Sequence, residues 1–131
     1  KLSSNFNVDS ILKESQLIKD VTVFTKLIDA NSIEDLKDIG NLLIQKVDKG
    51  IGVLGADLEK PSIVVVVSNA LVDIGVHAGI IAKDLGSMMG GGGGGRPNMA
   101  TAGGKNKKSL NSALEKAQDV IKKNLEGKNA V

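Results

Sequence analysis

The chain has 131 residues, a length that fits one domain, and 41% of them are hydrophobic with only two aromatics, Phe6 and Phe24, so aliphatic side chains must fill the core. There is no Cys, which excludes disulfides and thiolate zinc sites, and the one His, His77, leaves little for a metal centre. The net charge of +2 is unevenly spread: residues 1–82 hold 8 Lys against 11 acids, and residues 83–131 hold 8 Lys and the single Arg against 4 acids.

The basic excess points to an anionic partner near the C-terminal end, or to a solvated basic helix. No stretch approaches the ~18–20 apolar residues of a membrane span. The chain opens on Lys1 with neither Met nor signal peptide, which reads as a piece of a longer parent in a soluble, reducing compartment.

In chain order, Val8 to about Glu14 predicts a short helix with Val8, Ile11 and Leu12 at i, i+3 and i+4. It is expected as a helical stub over residues 1–19, ahead of a globular domain over 20–131. Asp20 to Ile28 is rich in β-branched residues and predicts a strand. Ala30 to Val47 predicts a helix capped by Asn31 or Ser32, its acids a solvated face with a favourable dipole placement. Gly50–Ala56 and Ser62–Ser68 predict neighbouring strands, the second carrying five continuous apolar residues suited to burial on both faces.

Val76 to Met89 predicts a second main helix with Ala78, Ile81, Ala82, Leu85 and Met89 on its apolar stripe. Met88, Met89 and Met99 are expected to fill the core or its gaps. Asn98 to Gly104 suits a short extended segment. Ser109 to Gly127 predicts the last helix, capped by Ser109 or Ser112 and stopped by Gly127. The order is α-β-α-β-β-α-loop-α, an α/β fold in which a small sheet is layered with helices and a glycine-rich loop joins the last two main helices.

That loop holds six glycines, Gly90–Gly95, followed by Arg96-Pro97. Each Gly costs about 0.5–1 kcal/mol relative to Ala when it is ordered. A loose linker tolerates such a run. An ordered run instead allows close backbone approach and an anion nest of N–H groups, with the Arg96 guanidinium as a planar fork for phosphate oxygens. Pro97 restricts the backbone of Arg96. Gly91, Gly92, Gly93, Gly94, Gly95, Arg96 and Pro97, together with Gly103, Gly104, Lys105, Lys107 and Lys108, form a candidate surface for a nucleic-acid backbone.

Other phosphate motifs fit poorly. A Walker loop ending on Gly104-Lys105 would need Gly where Met99 stands and Ser or Thr where Asn106 stands. The glycine run follows a helix, whereas a dinucleotide fingerprint lies between strand and helix. His77 is expected to pack or to pair with Asp73. No nucleophile–base set stands out, so no catalytic residue is assigned.

The segment GGGGGGRPNMATAGG, preceded by HAGIIAKDLGSMM and followed by a lysine-rich turn and SALEKA, resembles the C-terminal, DHHA1-like domain of alanyl-tRNA synthetases, a group that also ends the DHH phosphoesterases. The resemblance runs from about Asp20 to Gly127. Asn98 and Thr101 stand where that family usually has Asp and Gln. The resemblance implies a non-catalytic domain that binds alanine-specific tRNA near its outer corner, positioning it for aminoacylation and editing by upstream domains of a cytoplasmic ligase. It implies no cofactor here, with ATP and magnesium, and zinc for editing, belonging to the rest of the parent. It also implies a dimerising helical stretch ahead of the globular part, and neither membrane nor DNA as a partner. Two other readings stay open: the substrate-binding domain of a DHH-type oligonucleotide phosphodiesterase, whose loop usually ends in His rather than Arg96-Pro97, and a structural oligomerisation module.

Overall fold

The computed structural model describes residues 8–18, 20–105 and 107–125. The elements are α1 (Val8–Lys13), β1 (Gln16–Ile18), β2 (Val21–Leu27), α2 (Ile33–Ile44), β3 (Gly50–Asp57), β4 (Pro61–Val67), α3 (Asn69–Val72), α4 (Ala78–Met88), β5 (Gly92–Gly95), β6 (Met99–Gly103) and α5 (Lys107–Leu125). The strands form one sheet in the order β1-β2-β3-β4-β6-β5. Only β2 and β3 pair in parallel, and α2 is the crossover such a pair requires.

β3 and β4 lie at the centre and are buried on both faces, as the run Ile63–Val67 predicts. Alternate side chains enter two cores. On one face Phe24, Leu54, Val64 and Val66 meet Leu36, Ile39 and Leu43 of α2 and Ile11 of α1. On the other, Val23, Val53, Ile63 and Val65 meet Ile81 and Leu85 of α4 and Leu110, Ala117 and Ile121 of α5. Each fully buried Leu or Ile contributes on the order of 2 kcal/mol of hydrophobic stabilisation. The result is three layers, helices on both faces of a sheet.

Ser32 caps α2, its hydroxyl accepting from the Asp35 N–H at 3.2 Å, and the Asp35 carboxylate accepts from the Asn31 N–H at 3.3 Å. This reciprocal arrangement follows the logic of a capping box. His77 does not pair with Asp73 but caps α4, its Nδ1 accepting from the Gly79 N–H at 3.0 Å. α5 begins at Lys107, so Ser109 and Ser112 lie inside the helix rather than at its cap. Lysine is a good helix former and lets the helix extend upstream of Ser109. Gly127 and Phe6 lie outside the described residues. β1 and α3 were not expected, since three or four residues show no period. β1 pairs with β2 and Ile11 is buried, so the segment expected as a stub packs on the domain.

The main difference lies at the glycines. The expected loop between the last two main helices is a β-hairpin, β5–β6. Gly90 ends α4 at φ +73°. The Gly91 N–H donates to Gly86 O at 2.9 Å and the Gly90 N–H to Ser87 O at 3.2 Å, the two bonds of a Schellman cap. The chain then runs extended along α4. A Cβ on Gly86 would stand 2.5 Å from the Gly92 carbonyl carbon, one on Gly79 would stand 2.8 Å from Gly95 O, and one on Gly93 would collide with Ala82 O. Helix and strand touch backbone to backbone, which only glycine permits. A poly-Gly strand shows no alternation and has low strand propensity, so its period could not be read.

Gly86→Ala tests this contact. Helix propensity alone would make it stabilising by about 1 kcal/mol. We expect the opposite, a loss of roughly 2 kcal/mol from overpacking, read as a lower urea midpoint. An unchanged or raised midpoint would contradict the contact.

Candidate functional site

α4 covers one face of the β5–β6 hairpin. The other face, on the side of α2, is left open. Gly40 draws α2 down over β4, where an added Cβ would stand 2.9 Å from Val66 Cγ1. Between α2 and the hairpin lies a groove of about 470 Å³ lined by Lys37, Asn41, Arg96, Asn98, Met99, Thr101 and the backbone of their neighbours. Gly94 pairs with Thr101 and Gly92 with Gly103, so both glycines face this open side. A Cβ on either would meet nothing within 4 Å. Gly91, Gly93 and Gly95 are different: a Cβ on Gly91 would collide with Gly103 O, and one on Gly95 would stand 2.7 Å from Ala100 Cα. The fold itself thus demands glycine at Gly91, Gly93 and Gly95 but not at Gly92 and Gly94.

Three backbone bonds pin the turn at the tip. The Arg96 N–H donates to Met99 O at 2.9 Å, the Ala78 N–H to Pro97 O at 2.8 Å, and the Val67 N–H to Asn98 O at 2.9 Å. Gly95 adopts φ +151° to enter the turn. Arg96, Pro97 and Asn98 are exposed on this fixed backbone.

At the other end of the hairpin Gly104 is buried, and a Cβ there would collide with Met89. The Lys105 N–H donates to Met89 O at 3.1 Å. Lys105, Lys107 and Lys108 are exposed, and Lys107 Nζ lies 3.6 Å from Asp57 Oδ2. Lys107 and Lys108 open α5, whose first turn carries no acid. Cations are disfavoured there by the helix dipole.

The hairpin therefore separates two groups that a linear reading gathers on one surface. Gly94, Arg96 and Pro97 stand at the tip; Gly103, Gly104 and the lysines stand at the root. At the rise of an extended strand the four residues of β5 span about 13 Å. An extended strand also forms no concave nest, so its outward N–H groups line the sheet edge. Lys37 and Asn41, one helical turn apart on α2, were missed, because nothing local to α2 tells that its polar face borders a groove.

Among the described residues no group of three or more His, Cys, Asp or Glu could hold a metal ion. No helix among them is long and apolar enough to cross a membrane.

Residues 20–123 match the family model of the DHHA1 domain. The chain is 38% identical over 125 residues to an alanine–tRNA ligase of Alkaliphilus metalliredigens (strain QYMF), a match covering 95% of this chain and 14% of that protein. It is 37% identical over 121 residues to an alanine–tRNA ligase of Natranaerobius thermophilus, covering 92% of this chain and 14% of that one. The chain thus spans about one seventh of the curated relatives it matches. Among solved structures, the C-Ala domain from Aquifex aeolicus alanyl-tRNA synthetase has the same fold, with a TM-score of 0.74 at 24% identity over 83% of this chain and 98% of that one.

Proposed function

The chain belongs to the DHHA1 domain family, and from that premise we propose that it is the tRNA-binding C-terminal domain of an alanine–tRNA ligase. It holds tRNA by its outer corner for catalytic domains elsewhere in a cytoplasmic parent. The ATP, magnesium and zinc of charging and editing belong to those domains, and this domain works without a cofactor.

One observation carries the proposal. Gly92 and Gly94 are glycine although nothing inside the fold requires it, at a cost of about 0.5–1 kcal/mol each relative to Ala. A ligand that comes within contact of the strand backbone gives them a reason. The charges name its sign. Arg96 and Lys37 border the groove, which no carboxylate lines. Lys107 and Lys108 sit at a helix start that disfavours cations, an arrangement a polyanion along the hairpin relieves. Phe24 is buried, so no exposed aromatic among the described residues offers a stacking platform for splayed bases. Contacts of this kind read phosphate positions, hence shape.

The central test is an anisotropy titration at fixed ionic strength with folded tRNA(Ala) and a scrambled strand of equal length. Folded tRNA should bind tighter, and its log K should fall roughly linearly with log[salt] as counterions are released. Equal competition by the scrambled strand would replace shape recognition with a general single-strand site. No binding by either would favour an oligomerisation module, which sedimentation would detect.

Gly94→Ala separates binding from folding. Its melting temperature should hold or rise, while affinity for tRNA should fall about tenfold, or ~1.4 kcal/mol. Unchanged affinity would mean that nothing approaches the strand there.

Arg96→Lys should weaken binding despite keeping the charge, because a planar bidentate fork is replaced by a point charge. Lys107→Gln should matter less, since Asp57 already pairs with that lysine. Equal affinities for Arg96→Lys and the parent sequence would contradict the fork.

A further inference from the structure

The groove over the glycine hairpin does not end at α2. A second groove, of about 350 Å³, runs along the C-terminal half of α2 past Gln45 to Ser68 and Asn69, with the Asp48 carboxylate on its border beyond the end of the helix. The two share Asn41 and Asn98, which line both. The first groove is also open at its far side, because β5 is the edge strand of the sheet and Gly92 and Gly94 carry no side chain to close it. A passage open at one side and continued past a shared pair of amides suits a polymer better than a compact ligand.

We propose that α2 forms the second wall of the site and that one ribose–phosphate strand of the bound RNA threads this passage. The strand crosses β5 over Gly94, passes between Arg96 and Lys37, and continues over Asn41 and Asn98 towards Asn69. The proposal rests on the tRNA-binding reading above and adds to it residues that the glycine motif does not contain. Lys37 is a suitable phosphate partner. Its only ion pair among the described residues is to Glu34, at a loose 3.7 Å with the carboxylate largely exposed, and such pairs are worth little and are easily exchanged. Asn41 stands four residues on, on the same helical face. Its neutral amide has both donors and acceptors for ribose hydroxyls and phosphates, without like-charge repulsion.

The test uses full-length folded tRNA(Ala) with variants at helical positions that are exposed (Asn41, Lys116) or half-buried (Lys37). Asn41→Asp adds a carboxylate where the two grooves meet, in addition to Asp48 further along, and should weaken binding five- to tenfold. Lys37→Gln should weaken it about threefold and reduce the slope of log K against log[salt] by about one. Asn41→Arg should tighten binding, which guards against a loss caused by misfolding. Lys116→Gln on α5, on the opposite face of the sheet, serves as control and should change affinity less than twofold. Circular dichroism should show all four variants folded. AMP should compete only at far higher concentration than a short oligonucleotide. If the parent chain binds tRNA and Gly94→Ala weakens it, but the α2 variants match the Lys116 control, the second wall is wrong and the tRNA reading stands. If the parent chain does not bind tRNA at all, the reading beneath both fails. Equal competition by AMP would make the passage a mononucleotide pocket.

Discussion

The backbone contact between α4 and the glycine strand β5 is the constraint on which the rest of the structure depends. Gly79, Ala82 and Gly86 give the helix a nearly bare stripe, and Gly93 and Gly95 give the strand a bare face to match. The contact is one that a single methyl group on either side would disrupt. It orders a segment that has almost no strand propensity of its own. It also sets where the turn after β5 must fall, because the Ala78 N–H at the start of α4 bonds the Pro97 carbonyl. The helix that stabilises the hairpin therefore also aims Arg96.

Covering the hairpin on one face only has a second consequence. Along β5 the glycines alternate between packed and open, so one face of the strand packs on α4 while the other stays free. Stability is concentrated at Gly91, Gly93 and Gly95, and the open floor lies at Gly92 and Gly94. Because α4 holds the strand rigidly, a ligand on that floor meets a backbone already ordered. Less ordering entropy is then lost on binding, which would ease association with the proposed RNA partner through few side-chain contacts. The same separation explains how a run of glycines, usually a sign of looseness, can act as a fixed surface.

The layers of the fold were legible in the sequence because their side chains carry period. The apolar run Ile63–Val67 gave away the central strand, and the stripes of α2, α4 and α5 gave away the covering helices. The hairpin was not legible, since a strand without side chains has no alternation to read. Its signal lay elsewhere: small residues at 79, 82 and 86 on the preceding helix mark a face built for close approach. The same blindness grouped Arg96 with Lys105, Lys107 and Lys108. Ten residues of chain look local in a loop, but an extended strand and its return carry the tip away from the root. Lys37 and Asn41 lay further out of reach, because their place beside the hairpin depends on a crossover helix meeting strands more than fifty residues downstream.

On the tRNA-binding reading proposed above, the separation of the two cationic groups has a physical use. A single patch of four or five positive charges would attract any polyanion and discriminate poorly, since screened point charges read only charge density. Two groups held about 13 Å apart by a strand favour a ligand whose phosphates are fixed at matching positions. A flexible strand must lose conformational entropy to satisfy both at once, whereas a folded RNA arrives with its backbone already arranged. On that reading, selectivity for shape would come from the spacing and stiffness of the hairpin rather than from base contacts. The stiffness returns to its source: if the helix and strand backbones separated, the distance between tip and root would blur, and affinity for folded and unfolded RNA would converge even with every cation still in place.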